Sequence, residues 1–246
     1  MPAPDLRTAI RDPKALTPDA QALARGARAL VPDPLLKPRL RGVSHQWAFV
    51  VSVVAGIALV VASPGDARLA VVVYVVTVVG LFGTSALYHR VNWRTISARR
   101  WMRRLDHSMI FFLIAGTYTP IAVLALHGTL ATVILIVVWA GAAAGVIVKL
   151  FWIDAPKPVI AAMYVALGWV AVAAFPQLPS RVGVAATVLL GVGGLLYSVG
   201  AVVYARQRPD PWPRTFGYHE VFHALVIAAA ALHYAVVAGF VVPRAG

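Results

Sequence analysis

Seven apolar runs, each about as long as the hydrocarbon core of a bilayer is thick, take up almost everything after residue 44. They fall at 45–62, 69–89, 106–126, 129–148, 158–175, 183–204 and 218–241. A backbone crossing lipid must satisfy its own hydrogen bonds, so each run is predicted to be helical. The expected fold class is all-α, a polytopic bundle of seven transmembrane helices. Composition points the same way. With 60% apolar and 13% charged residues, the chain has too few polar side chains to cover a soluble domain of this size. Pro120 lies well inside the third run and is predicted to kink it. Gly141 and Gly145 in the fourth run, and Gly191, Gly193 and Gly194 in the sixth, are expected to let helices approach closely.

Residues 1–44 are different material, with seven of the 17 prolines and eight of the 22 basic residues. The expected division is a flexible, basic, proline-rich cytosolic tail over 1–44 and a membrane domain over 45–246. Within the tail, Thr17-Pro18-Asp19 reads as the start of a short helix through Leu30, stopped by Pro32 and Pro34. Nothing there resembles the apolar segment of a signal peptide, so no cleavage is expected.

The formal charge of +13 would suggest nucleic-acid binding in a soluble protein, but in a membrane chain it carries topology. Assigning the basic residues to the segments between runs puts 19 on one side and three (Arg68, Arg181 and Arg244) on the other. The positive-inside rule then predicts a cytoplasmic N-terminus and an external C-terminus, in a multi-pass protein of the plasma (inner) membrane. The arginines of 90–104 are expected to meet anionic headgroups, and no nucleic-acid motif competes with that reading. Trp47, Trp93, Trp101, Trp152 and Trp212 read as interfacial anchors.

Ionisable groups at membrane depth are costly and usually functional. Ser85 and His89 share a face at the end of the second run, Asp106 opens the third, and His219 and His223 sit one turn apart at the start of the seventh. With alternating directions, these four places fall at one depth near the cytoplasmic face. Three neutral imidazoles, an aspartate and a hydroxyl there suggest a zinc site with an open water position. Zn²⁺, three neutral histidines, one carboxylate and one hydroxide sum to zero charge, which a low dielectric tolerates. The chain has no cysteine, so a metal would have to use imidazole and carboxylate ligands.

Two of these residues have simpler readings. Asp106 could pair with Arg103 or Arg104, and Ser85 could bond back to the Leu81 carbonyl. Glu220 completes a His-Glu-x-x-His pattern, in which a glutamate serves metalloproteases as general base; otherwise it is a carboxylate near Arg214. His233 is expected to pack inside the bundle. Tyr118 and Thr119 are expected to satisfy backbone freed by Pro120.

The segments GTSALYHRVNW (83–93), LDHSMIFFLIAGTYTP (105–120) and FGYHEVFHALV (216–226) resemble the three signature segments of the hemolysin III family, within the progestin and adipoQ receptor superfamily. The resemblance covers all seven runs and leaves the tail outside it. It implies zinc held near the cytoplasmic face by His89, His219 and His223. It also implies that Asp106 holds or activates a water and that Ser85 is the superfamily's helix-two serine. The leading expectation is a zinc-dependent hydrolase acting on an amide or ester of a membrane lipid, with Asp106 accepting a proton and Ser85 steadying an oxyanion. The alternatives are a non-enzymatic receptor or regulator of membrane lipid composition with a structural zinc, and an intramembrane metalloprotease using Glu220. The expected partners are membrane lipids, with no nucleic acid or protein partner.

Overall fold

The computed structural model describes residues 38–245, so the expected short helix after Thr17 lies outside the described residues. Seven long helices follow one another: α1 (Val43–Ala62), α2 (Arg68–Arg90), α3 (Ile96–Leu124), α4 (Thr129–Phe151), α5 (Lys157–Gly168), α6 (Val184–Arg206) and α7 (Tyr218–Val236). A tighter 3₁₀ segment, Trp169–Ala174, lengthens α5. Beyond α7 come a π turn, Val237–Val241, and a 3₁₀ turn, Val242–Arg244. A single helical turn, Leu178–Arg181, links α5 to α6. No strand occurs among the described residues; Trp212 and Phe216 form one isolated bridge.

With these extensions, all seven are long and apolar enough to cross a bilayer. Their outer faces carry exposed aliphatic side chains such as Val54, Val61, Val76, Ile136 and Val188, as a lipid-facing surface should. The chain is a multi-pass integral membrane protein.

The third helix departs from the sequence expectation. It begins at Ile96 rather than at Asp106, because the Thr95 hydroxyl accepts from the Ala98 N–H and starts the helix early. The intervening turns are rich in arginine, so hydropathy misses them although nothing in their composition breaks a helix. Asp106 therefore lies well inside α3, not at its start.

Each helix packs on its sequence neighbours, and α7 also touches α1, which closes the ring. α3 is the most enclosed, contacting α2, α4, α5 and the turns beyond α7. Small residues make this possible. A Cβ on Gly145 would overlap the Phe111 ring, one on Gly141 would meet Leu167, and one on Gly193 would strike His233. Gly194, expected at a helix contact, faces open space instead. Gly116 packs on Thr77, a close approach the sequence did not flag.

Near Pro120 the Thr119 hydroxyl donates to Ala115 O and accepts from Trp139 Nε1. Tyr118 instead reaches across to Gly168 O on α5. Its hydroxyl ties α3 to α5 and does not satisfy backbone freed by Pro120.

Candidate metal centre

The last turn of α2 and the first two turns of α7 meet at one end of the bundle. His89 and His219 approach with their Nε2 atoms 3.2 Å apart, and the His219 and His223 ring centroids lie 4.5 Å apart. Each of the three offers a ligand nitrogen, all within 4.8 Å of one another, and all three residues are buried. Helix periodicity explains half of this, since residues 219 and 223 share a face one turn apart. The approach of α2 supplies the rest. His223 Nδ1 is buried without a hydrogen-bond partner. Three clustered imidazoles, one with an unsatisfied nitrogen, can hold a metal ion.

Asp106 lies beside this cluster, its Oδ2 3.9 Å from His89 Nε2 and 3.5 Å from His107 Nδ1. Neither arginine proposed from sequence is its partner. Arg103 bonds the Asp154 carboxylate and Ile153 O, and Arg104 donates to Leu150 O and lies over Trp101. Arg103 also holds the exposed Asp154 carboxyl below its usual range. Asp106 thus keeps its carboxylate for the histidine side. His107 Nδ1 donates to Arg103 O at 2.8 Å, leaving Nε2 to accept from the Tyr204 hydroxyl at 3.2 Å.

Ser85 does not bond back to Leu81. Its hydroxyl shares a 2.8 Å hydrogen bond with His45 Nδ1 and lies within reach of the Asp106 carboxyl. His45 stacks on His223 with centroids 3.7 Å apart and planes 11° from parallel. The sequence showed His45 only as a residue at the start of the first run. Its burial and its stack belong to the approach of α1 to α7, which no local pattern encodes.

Glu220 has partners that neither sequence reading named. Its partner is Arg41, not Arg214. The other carboxylate oxygen accepts from Gly217 N–H at 2.8 Å, capping the helix that carries the two histidines. Just ahead of α1, Arg39 and Leu40 donate backbone N–H groups to Arg214 and Thr215, docking residues 39–41 against the start of α7. Gly42 follows with φ 79°, and any side chain there would collide with His89.

An apolar cavity of about 160 Å³ runs away from the cluster between α3, α5, α6 and α7. Ser85, Asp106, His219 and His223 line one end of it, and Ile121, Phe175 and Leu178 line the other. His233, as expected, packs inside, its Nε2 donating to Leu190 O.

Residues 34–234 match the family model described as Haemolysin-III related. The chain is 30% identical over 207 residues to Hemolysin-3 of Bacillus cereus, covering 82% of this chain and 91% of that one. It is 26% identical to the human Monocyte to macrophage differentiation factor, over 66% of each chain. It is also 28% identical to the Adiponectin receptor protein of Drosophila melanogaster, over 62% of this chain and 38% of that longer one. By the extent of these matches, the chain belongs to the hemolysin III family, within the progestin and adipoQ receptor superfamily.

Proposed function

We propose that this protein is a zinc-dependent hydrolase of a lipid amide or ester, acting at the cytoplasmic face of the plasma (inner) membrane. One observation carries the reading. A buried three-histidine cluster, with Asp106 and Ser85 beside it, stands at the head of an apolar cavity inside a membrane bundle.

The donor set suits zinc. Tetrahedral coordination at about 2.05 Å sets ligand nitrogens about 3.3 Å apart, close to the 3.2 Å between His89 and His219 Nε2. Three neutral imidazoles leave a fourth position for water. The chemistry zinc supplies at such a site is Lewis-acid polarisation of a carbonyl and activation of water near neutral pH.

This chain's own residues do the rest. His89, His219 and His223 are the ligands in this reading. Asp106 Oδ2, beside His89, accepts the proton of the attacking water and returns it to the leaving group. With its proton on Nδ1, His45 donates to Ser85 Oγ, so the Ser85 hydroxyl hydrogen serves the Asp106 carboxylate at rest and a developing oxyanion during turnover. The stack on His223 holds the His45 ring for that task. The acyl chain occupies the apolar cavity, whose walls exclude water from the reacting carbonyl.

The orientation follows from charge. The end that carries the cluster is the end to which the 19 basic residues were assigned, and the positive-inside rule makes it cytoplasmic. The protease alternative needs Glu220 as a base, but both its oxygens are engaged, by Arg41 and by Gly217 N–H.

Metal analysis and lipid profiling test the proposal together. Purified protein should carry about one zinc per chain, and His223→Ala should lower metal affinity by more than ~100-fold, beyond what loss of a residue behind a ligand costs. Asp106→Asn should keep the metal and abolish the change in lipid profile seen on expressing the wild type. Identical profiles with metal intact in both would favour the receptor alternative. Absence of zinc from the wild type would overturn the site.

A further inference from the structure

On the side of the histidine cluster away from the apolar cavity lies a second, more open cleft of about 390 Å³. Its lining is strongly basic, with Arg41, Arg103, Lys149 and Lys157 against one carboxylate, Asp154. Two of these cations are matched, Arg41 by Glu220 and Arg103 by Asp154. The two lysines are not. Among the described residues neither has a carboxylate partner.

Lys149 is the informative one. It is 2% exposed, and its ammonium makes a single protein hydrogen bond, to Ile153 O at 3.2 Å. An ammonium carries three donors, and burying one without an anion is expensive. A lysine that merely met lipid headgroups would extend its flexible stem into the interface instead. Lys157 is held in place as well, bonded to the Tyr218 hydroxyl at 3.0 Å and lying over the Tyr218 and Tyr204 rings. Two positioned cations without a direct ion pair, beside a single acid that Arg103 already bonds, form a receptor for an anion.

The cleft and the apolar cavity share His107, Tyr204 and His219 in their linings, so the histidine cluster stands at their junction. From Asp106 to Ile121 the apolar cavity follows about four turns of α3, or roughly 22 Å at the helical rise. That direction suits an acyl chain, of which a cavity of about 160 Å³ encloses a part.

We propose that Lys149 and Lys157 bind the anionic headgroup of a single-chain amphiphile whose acyl chain enters the apolar cavity, so that the bond joining headgroup to chain crosses the histidine cluster. The proposal rests on the hydrolase reading for the meaning of that placement, while the binding itself needs no turnover.

The test therefore uses binding to the purified full-length chain in a non-ionic detergent, measured by calorimetry. Three probes separate the contributions: an oleoyl glycerol phosphate (chain and phosphate), monoolein (chain alone) and glycerol phosphate (headgroup alone). The Asp106→Asn variant serves as host, so that hydrolysis does not consume the probe. The phosphorylated amphiphile should bind at least ~10-fold tighter than monoolein, the worth of one charge-assisted hydrogen bond. Adding Lys157→Gln or Lys149→Met should erase that preference and leave monoolein binding unchanged, while Lys157→Arg should keep most of it. Unchanged monoolein binding also shows that each variant is folded.

Equal affinity for the two amphiphiles, or a preference that survives both lysine substitutions, would overturn the proposal. Glycerol phosphate binding as tightly as the full amphiphile would assign the cleft to a soluble phosphate and likewise overturn it. If lipid turnover proves absent but the lysine-dependent preference stands, the hydrolase reading fails and the anion site survives.

Discussion

Around Phe111, Val138 and Leu167 the bundle is an apolar, close-packed core into which glycines admit neighbouring side chains. Little more than one turn along α3, around Asp106, the buried side chains are histidine, aspartate, glutamate, serine and lysine. The apolar region gains its stability from packing, where one misplaced methylene is felt. The polar region contains groups whose burial costs free energy unless each finds a partner. Most have one: His45 with Ser85, Glu220 with Arg41 and Gly217, His107 with Arg103 and Tyr204. His223 Nδ1, His45 Nε2, Ser44 Oγ, Ser108 Oγ and two of the three Lys149 donors do not. Of these, His223 Nδ1 belongs to the histidine cluster and the Lys149 ammonium to the basic cleft, the two places for which a metal and an anion are proposed.

The sharpest way to break this comparison is to remove a partner at the polar end. Arg41→Ala leaves the Glu220 carboxylate buried at 1% exposure with only its cap bond. Stranding a buried charge of this kind costs about 3 kcal/mol or more. Denaturant unfolding in detergent should show that loss, and adding Glu220→Gln should recover most of it. If Arg41→Ala proves nearly silent, the polar end does not depend on pairing as argued. Because Glu220 caps the helix that carries His219 and His223, affinity for the proposed metal should fall in the single variant and return in the double.

The apolar end should answer to volume instead. Gly145→Val places methyl groups where the Phe111 ring lies, and overpacking of this sort costs about 1–3 kcal/mol. Zinc content should be unchanged, because Phe111 and Gly145 belong to the apolar core and not to the histidine cluster. A Gly145→Val variant that kept its stability but lost metal would contradict the division between the two ends.

The sequence displayed these two regions unequally. The spans were legible because lipid imposes both length and helicity, so hydropathy located all seven with small errors at most ends. The start of α3 was missed because the Thr95 cap and the arginine-rich turns before Asp106 are helical without being apolar. His89, His219 and His223 were legible because two lie one turn apart and alternating crossings bring the third to their depth. Arg41 and His45 were not. Their roles depend on residues 39–45 docking against α7, with |i−j| of 179 for Arg41 and Glu220, and nothing local encodes that contact. The lysine cleft was hidden for a related reason. Lys149 and Lys157 counted only as topology signals until the burial of Lys149 and the cleft that both line separated them from the other basic residues.

The smallest effect expected is at Asp154, which sits at the rim of the polar end without belonging to its buried network. Arg103 bonds it, yet its side chain is 62% exposed, so water and salt screen the pair. Its carboxyl titrates below the usual range in the folded protein because the Arg103 guanidinium favours the ionised form. A depressed folded value means the unfolded chain binds the proton more readily, so the pair stabilises the fold above the ordinary carboxylate range, near 4. That contribution is lost as pH falls through the depressed value. Wild type and Asp154→Asn should therefore differ slightly in Tm at neutral pH, and the two melting curves should converge on acidification below about pH 4. A large difference at neutral pH, or one that persisted in acid, would show that Asp154 belongs to the buried network after all, as an anion that helps to satisfy Lys149.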